Sequence, residues 1–127
     1  MKVFCLGNEH ITQDSYAIKL GRELEFEDVD FIECQSVDEF LEKVKGQKEI
    51  VVLDVAKDIE DVKLVTNENI KSSKITTGHD FDIGFFMSLL KEMGELQKIN
   101  IIAIPQKEPD KNIIKKVKSK IQKFNKN

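Results

Sequence analysis

The chain has 127 residues, 40% hydrophobic and 34% charged, with 20 basic against 23 acidic side chains and a formal net charge of -3. One domain is expected at this length, with core enough to fold without disulfide or metal staples. The apolar fraction excludes a disordered chain, and no apolar run approaches the roughly 18 residues that a membrane span needs.

The opening Met1-Lys2-Val3-Phe4-Cys5-Leu6-Gly7 meets Asn8-Glu9-His10 at once, which is too short for a signal peptide and predicts a cytoplasmic protein. Residues 3–6 read as a buried strand ending at Gly7-Asn8. Ala17, Leu20, Gly21 and Leu24 recur at helical spacing and predict a helix over residues 14–25. Residues 29–32 read as a second strand. Val37, Phe40, Leu41 and Val44 mark a second helix, stopped by Gly46. Residues 49–53 form a third strand, with Ile50, Val51, Val52 and Leu53 fully buried and Asp54 at its end. Residues 62–65 predict a short strand at or near an edge. Ile83, Phe86, Leu90 and Met93 then mark a helix stopped by Gly94. Residues 99–104 are a last core strand, closed by Pro105 and Pro109 before a lysine-rich helix.

Continuous apolar strands alternating with helices predict an α/β fold. The expected architecture is a three-layer sandwich, a mostly parallel five-stranded sheet flanked by helices on both faces, as a single domain over residues 1–127. Residues 111–127 hold seven lysines and no acid, so residues 1–110 carry a net charge of -10. This reads as an amphipathic helix burying Ile113, Val117, Ile121 and Phe124 with its lysines in water. Aromatic partners for bases are missing beyond Phe124, and the balance is acidic, so no nucleic-acid partner is expected. Cys5 and Cys34 lack metal-type spacing and predict buried, reduced thiols.

Sites in such folds lie beyond the carboxyl ends of the strands. That rule selects the loop over residues 7–14, Asp54, and the loop over residues 76–82. These places hold Asp14, Asp54 and His79, an oxygen and nitrogen donor set suited to a divalent first-row metal. Each has a plainer alternative. Asp14 would cap a helix, Asp54 would end a strand in a turn, and His79 would be a solvated loop residue after Gly78. Glu9 and His10 share the first loop and are expected to be solvated. Gly7-Asn8 lacks a dinucleotide-binding glycine pattern, and no Walker lysine motif exists, so no organic cofactor is expected. Ser15 and Ser36 lack the context of a serine hydrolase nucleophile, and Cys34 lacks that of a thiol protease.

The stretch from Val3 through Gly7-Asn8 to Asp14 resembles the opening of the nickel–iron hydrogenase maturation endopeptidases, a strand, a Gly-x-Gly-Asn turn and an acidic pair at a helix start. Ile50-Val51-Val52-Leu53-Asp54 looks like their strand ending in a metal-binding aspartate, and Thr76-Thr77-Gly78-His79-Asp80-Phe81 like their third ligand segment. Residues 99–104 with Pro105-Gln106 are similar to the strand and exit that follow. The resemblance implies that Asp14, Asp54 and His79 bind metal, namely nickel already inserted in an immature hydrogenase large subunit. It further implies an endopeptidase that removes the C-terminal extension of that precursor, with Asp14 or Asp54 as general base. Departures are visible: Cys5 replaces the first glycine, Gln13 the first acid, and Glu33-Cys34-Gln35-Ser36 stands where the family carries Asp-Gly-Gly. Two other readings stay open. One is a non-catalytic metal- or partner-sensing module on the same fold, and the other a peptidyl-tRNA hydrolase-like enzyme, for which Thr12-Gln13-Asp14-Ser15 offers no catalytic histidine. The isolated protein is expected to be a monomer.

Overall fold

The computed structural model describes residues 1–66 and 98–125. The helix expected around Ile83 to Met93, and the loop that carries His79, lie outside the described residues.

Five strands form one sheet: β1 (Lys2–Leu6), β2 (Asp30–Cys34), β3 (Glu49–Ala56), β4 (Lys63–Thr66) and β5 (Lys98–Pro105). Three helices are described: α1 (Tyr16–Glu23), α2 (Val37–Lys43) and α3 (Lys111–Phe124). A short 3-10 turn, Thr12–Asp14, precedes α1. The strand order is β2-β1-β3-β5-β4. β1 pairs in parallel with β2 and β3, and β3 in parallel with β5, whereas β4 runs antiparallel along the β5 edge. The expected parallel sheet with a short strand at its edge is therefore what forms.

Period two along the strands sorts the core into two clusters. Val3, Cys5, Val51, Leu53, Val55, Ile102 and Ile104 pack with Ala17, Ile18 and Leu20 of α1 and with Ile113, Val117 and Ile121 of α3. Phe4, Leu6, Ile50, Val52, Ile99 and Ile101 pack instead with Phe40 of α2. Alternate strand residues belong to opposite faces, so α1 and α3 lie on one side of the sheet and α2 on the other. The rings of Phe4 and Phe40 meet edge to face, with centroids 5.9 Å apart. On the other face α1 sits tightly on β1, because a Cβ on Gly21 would come within 2.6 Å of the Cys5 sulfur.

Helix starts follow local chemistry. The Ser36 hydroxyl accepts from the Glu39 amide at 3.1 Å, and Asp110 accepts from the Ile113 amide at 2.8 Å. Each satisfies one of the amides that a helix N-terminus leaves without a partner. In α3 the expected stripe of Ile113, Val117 and Ile121 is fully buried, and Phe124 packs partly buried against it.

Cys5 and Cys34 are free, buried thiols. They belong to different clusters and hence to opposite faces, which keeps them from bridging. Burial pushes the Cys5 thiol up to about 12 and the Cys34 thiol up to about 11, since an apolar surround disfavours the thiolate. Both should resist iodoacetamide at pH 8 in the native protein and be alkylated together once urea unfolds it. A thiol whose pKa is raised on folding costs stability as the pH climbs past its ordinary value of 9.0. Urea midpoints should accordingly fall between about pH 9 and pH 11. Rapid native labelling, measured by intact mass, would contradict this placement.

Candidate active site at the switch point of the sheet

The strand order changes direction at β1. From β1 the chain moves outward to β2, then returns across β1 to β3 and continues the other way. A crevice opens at such a point, beyond the carboxyl ends of the two central strands, and ligands in open α/β sheets bind there. Both aspartates singled out by the sequence are found at this point.

Asp54 lies on β3 opposite Leu6, the last residue of β1. It was expected to end its strand. Instead β3 continues two residues further, because β5 still pairs with it through Val55 to Ile104 and Ala56 to Pro105. Asp54 thus marks where β1 stops while β3 goes on, which exposes the crevice rather than a turn. Strand alternation gives it the side of Val52 and Leu6. One carboxylate oxygen accepts from the Val55 amide at 2.8 Å.

Asp14 reaches the same point through the loop after β1. The loop folds back on itself: the Asn8 amide donates to the Asp14 carbonyl at 3.0 Å, and the Asp14 amide donates to Ile11 at 2.9 Å. Gly7 lets the two ends touch, since a Cβ there would lie 2.3 Å from the Asp14 carbonyl oxygen. The Gly7 amide is tied to the Cys34 carbonyl at 3.0 Å, which anchors the loop to the end of β2. The expectation that Asp14 begins the helix needs correction. The α-helix starts at Tyr16 with Ser15 in the cap position, and Asp14 closes the preceding 3-10 turn. That turn forms because the Ser15 hydroxyl and amide both donate to the Thr12 carbonyl, at 2.7 and 3.2 Å.

Asp14 is 6% exposed and Asp54 3%. Carboxylates this buried are rare and costly, because a charge loses its hydration unless other groups replace it. Hard, anionic oxygen donors of this kind have a divalent cation as their natural complement. Among the described residues no three histidine, cysteine, aspartate or glutamate side chains gather into a metal-sized group. The described part of the site holds two buried carboxylates, Asp14 and Asp54, and His79 lies outside the described residues. His10, in the same loop, has a side chain 85% exposed and stays in solvent as expected. Glu9 does not: its carboxylate is held by Arg22 at 2.6 Å. Arg22, which ties Glu9 to Glu33, is the neighbour of this loop that sequence reasoning missed.

The fold and the crevice together define an open, mostly parallel α/β protein of strand order β2-β1-β3-β5-β4 with buried acids at its switch point. No protein-family profile matches the chain, and no curated protein sequence matches it. Solved structures do. The NiFe hydrogenase maturation protease HybD of Thermococcus kodakarensis superposes with a TM-score of 0.70 at 20% identity, over 98% of each chain. The hydrogenase maturating endopeptidase HybD of Escherichia coli gives 0.67 at 13% identity, over 98% of this chain and 93% of its own. The maturation protease HycI of Thermococcus kodakarensis gives 0.60 at 14% identity, over 97% and 88%. At these identities the likeness establishes a shared fold along nearly the whole chain, as the ordered sequence blocks implied. No described helix is long and apolar enough to cross a membrane.

Proposed function

We propose that this chain is an endopeptidase that removes the C-terminal extension of a nickel–iron hydrogenase large-subunit precursor once nickel is in place. The observation that carries the reading is that Asp14 and Asp54, both buried, lie by the carboxyl ends of the central strands in a fold shared with hydrogenase maturation proteases.

In this reading the nickel arrives as part of the substrate. Asp14, Asp54 and His79 complete the coordination of an ion already held by the precursor's own ligands, so binding is strong only for a loaded precursor. The carboxylates suit this task because they are buried, anionic and fixed by the backbone, Asp54 by a strand and Asp14 by a closed loop. Docking the ion brings the scissile peptide beside the pair, where an unprotonated carboxylate accepts a proton from the attacking water. In this reading the two carboxylates favour a precursor that brings a cation, which links recognition to the state of the metal centre. The protein works in the cytoplasm, as a monomer, on a protein substrate.

The test is incubation with nickel-loaded and nickel-free large-subunit precursor, read by intact mass. Only the loaded precursor should lose its extension. Equal processing of both, or of neither, would overturn the reading.

A further inference from the structure

The loop that carries Asp14 is fastened from outside by a group that the proposed chemistry does not use. Arg22, in the last turn of α1, donates from Nε and Nη2 to the two oxygens of Glu33 at 2.8 and 2.7 Å. The same Nη2 donates to the Glu9 carboxylate at 2.6 Å. Glu33 is on β2, and Glu9 is in the loop between β1 and α1. The Glu9 amide in turn donates to the side-chain oxygen of Gln35 at 3.0 Å. Glu9 is thereby held at both its side chain and its main chain. One residue upstream, the Asn8 amide makes the hydrogen bond that closes the loop on the Asp14 carbonyl.

Two features set this contact apart from ordinary surface ion pairing. The first is composition: the chain has nineteen lysines and a single arginine, and that arginine is Arg22. A fork with several fixed donors is what this place demands, because one cation must bind one carboxylate in bidentate fashion and reach a second. A lysine ammonium would reach both acids only as a point charge. The second is the charge pattern, since without the guanidinium Glu9 and Glu33 would repel and push the loop away from β2. The Arg22 side chain is 47% exposed, so its ion pairs add little to global stability. What they fix is the place of residues 8 and 9.

We propose that Arg22 is a positioning residue for the site, clamping Glu9 to Glu33 so that the closed loop holds Asp14 against the end of β1. The inference rests on the reading of Asp14 as a substrate-metal ligand, but the clamp can be tested without it. Hydrogen bonding to Arg22 also keeps Glu33 ionised below the usual glutamate range, in line with a persistent contact.

The experiment compares the full-length wild type with Arg22→Ala and Arg22→Lys. Amide exchange at Asn8 is followed by NMR, the unfolding midpoint in urea is measured, and kcat and KM are determined on nickel-loaded precursor. In Arg22→Ala the Asn8 amide should exchange about tenfold faster or more, while core amides and the urea midpoint barely move. kcat should fall on the order of 10- to 100-fold with KM nearly unchanged, since a misplacement of about 1 Å costs that much. Arg22→Lys should recover only part of kcat, and millimolar guanidinium chloride should partly restore Arg22→Ala. Wild-type exchange at Asn8 in Arg22→Ala, full activity in Arg22→Lys, or a loss that tracks global stability would overturn the clamp. If the wild type leaves the precursor uncut, the proposed function fails, and Asn8 exchange alone still decides the clamp.

Discussion

Asp54→Asn should abolish processing of the loaded precursor while leaving the fold intact. Asparagine is nearly isosteric with aspartate and keeps a carbonyl oxygen, so the bond from the Val55 amide at 2.8 Å can persist. Strand β3 stays paired on both sides, with Leu6 and Ala103 opposite this residue. Only the charge is lost. A neutral amide is a much weaker ligand for a dication and cannot accept a proton from water. Loss of a positioned general base costs about 10²–10⁴-fold, and weaker metal recognition adds to it. The unfolding midpoint should stay close to that of the wild type, because the substitution keeps the shape and the Val55 hydrogen bond. Intact-mass assays of the precursor and urea melts of the variant check both halves. Unimpaired cleavage by Asp54→Asn would remove the metal-gated peptidase and leave a sensing module on the same fold.

Asp14→Asn separates function from mere support of the loop. The loop contacts of this residue that close the turn run through its main chain, the amide to Ile11 and the carbonyl from Asn8. The substitution leaves those in place. Activity should therefore drop as in Asp54→Asn with little change in stability.

The sequence made the sheet legible because its central strands are unbroken apolar runs, which only a doubly covered parallel sheet accommodates. Strand ends were less legible. Residues 49–53 were expected as the third strand, yet β3 runs to Ala56, since the partner β5 offers hydrogen bonds that far. The second strand was expected over residues 29–32 and runs from Asp30 to Cys34, drawn along by its register with β1 from Lys2 to Leu6. Helix α1 was expected from residue 14, but the bonds from Ser15 to the Thr12 carbonyl close a 3-10 turn first. Periodicity reports which residues are buried, while partners in space decide where an element stops.

The candidate site divides along the same line. Asp14 and Asp54 were readable because Asp54 follows the apolar run of β3 and Asp14 lies in the loop after β1, and topology alone brings the carboxyl ends of those strands to one edge. The Arg22 clamp joins α1, β2 and the first loop, so it depends on register and on the face that α1 covers. Nothing local in Gly21-Arg22-Glu23 announces it. The one available signal was compositional, a lone arginine among nineteen lysines.

Gly7→Ala should be the most damaging small change outside the acid pair, and it tests how the loop is closed. The added Cβ would stand 2.3 Å from the carbonyl oxygen of Asp14. That oxygen belongs to the backbone, so no side-chain rotation relieves the clash, and the same Cβ would also lie 3.4 Å from Ile18. The loop must move outward, which breaks the bond from Asn8 to Asp14 and carries the Asp14 carboxylate with it. Forced repacking of this kind costs about 1–3 kcal/mol. The displacement should cost more in function than in stability, because about 1 Å of error at a reacting group is worth on the order of 100-fold. Gly46→Ala is the control. Gly46 has φ of +82°, so alanine is strained there by about 1–2 kcal/mol, yet a Cβ would meet nothing within 4 Å. It lies beyond α2, away from the switch point, so the two variants should lose comparable stability and part company in activity. Urea melts should place them close together, with Gly46→Ala processing precursor at the wild-type rate and Gly7→Ala nearly inactive. Equal activity in both would mean that closure of the first loop on Asp14 has no part in the reaction.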